Sequence, residues 1–262
     1  MTPDTYIEPA RARVRAEQDA VDAKCDAFEA FIERVKEISM DRPAAPSVGA
    51  STVAGIQQHS TRTTDSGCRE VLTAFADTVR THSVENANTD ESLLETVRAE
   101  FTESIAVALA PTTEASFTPE LKETIIAETE TRRAEATAFN RALDREMDQL
   151  DAADEVVDEI TSWLLRSEEP PVSATGFNAL KLRHETLDAH RSRCDAFVQR
   201  RQEFLEETTN NSIKAGIRHR QLTPYVYDEL PVDHPVLATV AQLDAACKAY
   251  QRAVRDHLTR RG

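Results

Sequence analysis

Apolar side chains recur at steps of four and three from Ile7 to Val35: Ile7, Arg11, Val14, Gln18, Val21, Cys25, Phe28, Ile32 and Val35. Seven of these nine positions are apolar, the stripe expected of a helix packed along a partner helix. The pattern stops after Ile38, where Pro43 and Pro46 cannot continue a helix. Residues 40–66, rich in Pro, Gly, Ser and Thr, carry no stripe and read as a flexible linker. A helical face resumes near Cys68 with Val71, Leu72, Phe75 and Val79. After a polar break at 83–90, a third helix is predicted to contain Leu93, Leu94, Val97, Phe101, Ile105 and Leu109.

The clearest helix start is Thr118-Pro119-Glu120-Leu121. Threonine can cap free N–H groups, proline suits the first helical position, and glutamate suits the positive end of the dipole. No glycine or proline follows until Pro170, which predicts a single very long helix. Its second half has a seam through Phe139, Leu143, Glu146, Leu150, Ala153, Val157, Ile160 and Leu164. In its first half Thr129 and Arg132 fall on the same line. Glu169-Pro170-Pro171 marks a sharp turn, with Ser173 as the expected cap of the next helix. That helix shows Phe177, Leu180, Leu187, Cys194, Val198 and Leu205, interrupted by His184, Arg191 and Arg201. A short connection between two long helices implies antiparallel neighbours. Between them and a last helix opened by Pro235, the prolines at 224, 231 and 235 predict a stiff, short extended run around Tyr225, Val226 and Tyr227. The fold class is therefore all-α: a long antiparallel helical hairpin packed by N- and C-terminal helices in a coiled-coil-like bundle. The corresponding divisions are 1–39, 40–66, 67–110 and 111–262, with the N-terminal helix able to join the last of these in one bundle.

Charge changes the picture more than any motif. Acids outnumber bases 46 to 31, the net charge is −15, and only six of the bases are lysine. Such a surface repels itself at ordinary ionic strength, whereas in molar salt the Debye length falls to about 3 Å. The composition suits a salt-rich cytoplasm. It disfavours nucleic acid and anionic membranes as partners, since the mean field repels phosphate. The longest strongly apolar stretch, Ile105–Ala110, is too short to cross a bilayer. The N-terminal residues lack the apolar core of a signal peptide, so a cytoplasmic location is expected.

The tetrapeptide Cys-Asp-Ala-Phe occurs at 25–28 and again at 194–197, and Cys247 and Tyr250 repeat the spacing. Cys and an aromatic ring at i and i+3 share one helical face, a common filling for a helix–helix seam. No Cys-x-x-Cys or Cys/His ligand spacing accompanies them. Packing therefore outweighs metal or redox chemistry, and Cys25 and Cys194 are expected to be buried, reduced and unligated. Gly-rich phosphate loops, GxSxG and HExxH are absent. His184, Asp188 and His190 gather ligand-type side chains within two turns, for which a solvated polar face is the simpler reading. Lys214, Arg218, His219 and Arg220 form a local basic cluster.

The segment YVYDELPVDHPVLATVAQL (225–243), with FTPELKETIIAETETRRAEATAF (117–139) upstream, resembles an uncharacterised family of haloarchaeal helical proteins. Many of these end in a similar aromatic–DLPV–PVL segment. The resemblance implies a salt-rich cytoplasm and transfers no functional residue.

From the sequence, function stays unknown, with no catalytic, cofactor-binding or metal-binding residue assigned. The leading reading is a non-enzymatic scaffold or regulatory interaction protein that self-associates through its helical seams, as a homo-oligomer or with an unidentified protein. Tyr225, Tyr227, Arg218 and Arg220 are the interaction candidates. The alternative is a nucleic-acid or transcription-linked regulator using the basic 211–223 segment. An enzyme with a site on the helix carrying His184, Asp188 and His190 ranks third.

Overall fold

The computed structural model describes residues 5–40, 66–83, 92–113, 115–214 and 222–261, with side chains described except at 66, 208–214 and 261. Among them there is no strand, and the chain is all-α. Its helices are α1 (Ile7–Glu37), α2 (Ser66–Asp77), α3 (Leu93–Glu100), α4 (Glu103–Leu109), α5 (Pro119–Ser167), α6 (Phe177–Lys214), α7 (Leu222–Val226) and α8 (Pro235–Arg261). None is long and apolar enough to cross a membrane. The expected linker lies, between 41 and 65, outside the described residues, as do 84–90 of the polar break.

Two compact units divide the chain: one comprises Met1–Gln18 and Arg141–Gly262, the other Asp19–Asn140. The sequence divisions at 39/40, 66/67 and 110/111 all fall within the second unit, and α1 and α5 each contribute to both.

In the first unit, the second part of α5 is the hub. Arg11 of α1 reaches Asp151 and Asp154, while Gln18 reaches Asp144. The numbers rise on one helix as they fall on the other, so the two helices are antiparallel. α6 returns along α5 in the same way, with Arg201 on Glu146 and Arg193 on Glu159. α8 lies closely beside α6, antiparallel to it, with Arg191 paired to Asp244. Small buried residues, Cys194 and Cys247, permit that approach. The seam read from the sequence is the core here: Ile7, Val14, Leu143, Leu150, Ala153 and Ile160 are buried by the chain itself. Each of these apart from Ala153 contributes roughly 1.5–3 kcal/mol.

The second unit packs α1 from Phe28 onward, α2, α3, α4 and the start of α5 around one apolar cluster. Phe101 is the hub, its ring centroid 5.5 Å from Phe75, 5.8 Å from Phe31 and 6.5 Å from Phe28. Gly67 is required beside it, since a Cβ there would stand 2.5 Å from that of Phe117. Thr129 and Arg132, polar on an otherwise apolar line, both find local partners, although the buried Arg132 Nε has none among the described residues. Thr129 Oγ1 donates to the Ile125 carbonyl at 2.7 Å, and Arg132 pairs with Glu128 and Glu135.

Three local expectations need correction. The single helix expected over Leu93–Leu109 is two, because Phe101 leaves helical geometry (φ −115°, ψ −121°) and Thr102 caps α4 by accepting from the Ile105 N–H. Ser173 does not open the helix after the turn: Val172–Ala174 forms a 3-10 turn, and α6 starts at Phe177. Thr175 Oγ1 bonds back to the Pro170 and Pro171 carbonyls, which holds the chain in its turn until Gly176. The run around Tyr225 is not extended. Leu222–Val226 makes one helical turn, and Pro224 is tolerated because first-turn N–H groups need no helical acceptor. By contrast, Thr118 caps α5 where expected, accepting from the Leu121 N–H at 3.3 Å.

Candidate functional site

Glu146 occupies a seam position of α5 between Leu143 and Leu150, and Arg201 a seam position of α6. Both side chains are about 1% exposed. The register of the two helices brings these opposite charges together. Arg201 holds the Glu146 carboxylate with two parallel bonds of 2.8 and 2.6 Å, the fork geometry that makes such pairs strong. Tyr227, fully buried, donates its hydroxyl to the same carboxylate at 2.6 Å. Its phenol is pushed above the ordinary value of 10.0, first by burial and then by the carboxylate next to it. The three groups satisfy one another out of reach of solvent, so the cluster is built to hold structure and offers no atom to a substrate.

That cluster seats the segment following residue 221. Arg13 Nε donates to the Val226 carbonyl at 3.2 Å, and the half-buried Tyr225 donates its hydroxyl to Glu17 at 2.9 Å. Of the interaction candidates, the two tyrosines thus point inward or across to α1. Arg218 and Arg220 lie outside the described residues, as does the basic segment between 215 and 221.

Of the three ligand-type residues on this stretch, His184, Asp188 and His190, the last two face different helices. Asp188 faces α8, where it accepts from Gln251 Nε2 at 3.4 Å. His190 faces α5, its ring centroid 4.9 Å from that of Trp163. Among the described residues no three His, Cys, Asp or Glu are placed to hold a metal ion. The hairpin's closed end is the richest polar constellation that sequence reasoning missed. Tyr250 donates to the Ser167 carbonyl, and Arg183 bonds both the Pro170 carbonyl and the Tyr250 hydroxyl at 3.1 Å. Trp163, His190 and Tyr250 line its inner side. Beside this end of the hairpin, Leu165, Phe177 and Leu182 are 50%, 52% and 64% exposed.

The thiols are distributed unequally. Cys194 and Cys247 are fully buried, and burial pushes them up to about 12 and about 11 respectively. Cys25 corrects the expectation of burial: it is only half-buried, its Sγ 3.9 Å from Thr137 Oγ1. The first copy of the repeat tucks its phenylalanine into the core but leaves its sulfur near the surface. Maleimide at pH 8 should therefore modify Cys25 well before Cys194 and Cys247 in the folded protein, because the thiolate is the reactive form. Mass mapping of the labelled peptides checks this, and equal rates would contradict the packing.

In the second unit an open groove of about 360 Å³ lies over Ala23, Ala27 and Ala30, rimmed by Asp26, Asp77 and His82. Asp77 is engaged by Arg34 at 3.1 Å.

No curated protein and no solved structure matches the chain. A family model described as Domain of unknown function (DUF7260) matches residues 5–251. The chain, matched over nearly all of its length, belongs to the DUF7260 family.

Proposed function

We propose that the protein is a non-enzymatic, self-associating scaffold of a salt-rich cytoplasm. The observation that carries this reading is that large apolar side chains at one end of the hairpin, Leu165, Phe177 and Leu182, are left at least half-exposed, while Glu146, Arg201 and Tyr227 are engaged with one another in the interior. Singly exposed apolar residues are ordinary on a protein surface; three near one turn suit a contact with another chain. The heptad seams themselves are filled within one copy, so association uses this end in place of the seams. A partner protein bound at the same end is the alternative occupant. The nucleic-acid reading rests on the 211–223 segment alone and is opposed by the net charge of −15. The enzyme reading loses its support because Asp188 and His190 face different helices.

Light scattering with size-exclusion chromatography, at about 0.1 M and about 2 M KCl, tests the proposal. The mass should exceed 29.2 kDa at high salt, where self-repulsion is screened. A Phe177→Asp, Leu182→Asp variant should return to the monomer mass with unchanged circular dichroism. A wild-type monomer under all conditions, or an assembly indifferent to both substitutions, would overturn it.

A further inference from the structure

The closed end of the hairpin contains a titratable group, His190. His190, on α6, is wedged against Trp163 of α5, ring centroids 4.9 Å apart and planes inclined by 62°. Its Nε2 is shut off from solvent and has no hydrogen-bond partner among the described residues. A neutral imidazole tolerates this as one acceptor without a donor. An imidazolium does not, because both of its nitrogens become donors and one would point into a site without an acceptor. We propose that His190 is a proton-operated switch for the closed end of the hairpin, neutral when Trp163 is packed and loosening that packing when protonated.

The surrounding charges agree with a ring that is neutral at rest. From α5 the charged group acting on His190 is Glu159, and from α6 itself it is Arg193. These two bind each other at 2.5 Å, so the anion that would favour an imidazolium is already held by a cation. α8 contributes Tyr250, 6.4 Å from Trp163, its hydroxyl held by Arg183 and bonded to Ser167. Burial is the dominant influence and lowers the His190 pKa below its ordinary 6.5; Glu159 raises it and Arg193 lowers it again. The sign follows from linkage. A group whose folded pKa is depressed leaves the folded state short of protons relative to the unfolded chain, so stability is fully present above 6.5. It declines as pH falls from that value through the folded pKa. The contacts loosened first are those of Trp163, which in turn packs against Tyr250, the residue tying α8 to the end of α5.

Trp163 is the chain's single tryptophan, so its fluorescence reports this site alone. A charged imidazole quenches a neighbouring indole, and the emission of the full-length protein should therefore fall on acidification with a midpoint below 6.5, accompanied by a lower melting temperature in the same window. His190→Gln should abolish the transition. Glu159→Gln should move the midpoint to lower pH and Arg193→Gln to higher pH. These two side chains are 56% and 40% exposed, so their replacement leaves the fold in place and decides the matter even if the His190 variant does not fold. A midpoint at or above 6.5, a transition surviving in His190→Gln, or a midpoint unmoved by both charge variants would each overturn the proposal.

Discussion

Replacing Arg201 by methionine should cost about 3–5 kcal/mol, because it leaves the Glu146 carboxylate charged, buried and short of its main partner. The arginine supplies two of the three bonds that the carboxylate accepts, and both side chains are essentially inaccessible. Two further variants separate the pair from the packing around it. Tyr227→Phe removes only the third bond and should cost about 1.5–3 kcal/mol, the usual scale for a hydrogen bond to a charged group. Glu146→Leu together with Arg201→Met and Tyr227→Phe should recover most of the loss, since no charge then remains buried and the volume is nearly kept. Urea denaturation followed by circular dichroism reads all three. A triple variant as unstable as Arg201→Met would show that the cost lies in packing and not in the unpaired charge.

In the other unit the largest effect is expected at Phe101. Phe101→Ala should destabilise by about 3–5 kcal/mol, the range for a buried aromatic truncated to alanine. The residue is 4% exposed and its ring meets Phe28, Phe31 and Phe75 at once. Phe101→Leu, which keeps most of the volume, should cost much less. The same denaturation measurement decides between them. A loss below about 1 kcal/mol in Phe101→Ala would mean that the neighbouring rings close over the space, against the rigid packing typical of protein cores.

Much of the fold is legible in one dimension, and the reason is period. The stripe from Ile7 to Val35, the seam from Leu143 to Ile160 and the Thr118-Pro119 start are local signals, set by side-chain chemistry and the geometry of a single helix. Proline placement marks where the hairpin turns for the same reason. Local signals failed where a helix end depends on what surrounds it. Phe101 ends α3 because its ring is accommodated in a cluster of three others from distant parts of the chain. Likewise, Pro224 sits in a helical turn because Tyr227 and Val226 are held from α5, α6 and α1.

The candidate chemistry divides in the same way. The sequence by itself determined the helices, their seams, the acid excess and the absence of any familiar catalytic signature. It also displayed Glu146 and Arg201 as charges interrupting apolar lines, without saying that they meet. Only tertiary structure decided that the two interruptions cancel, that Tyr227 completes them, and that Asp188 and His190 face different helices. It also set Trp163 against His190 and left Leu165, Phe177 and Leu182 uncovered. Partner choice between helices depends on register and rotation, which a heptad pattern leaves degenerate: every seam position of one helix can meet many of another. Packing and charge pairing summed over the whole contact select one arrangement, and that sum exists only in three dimensions.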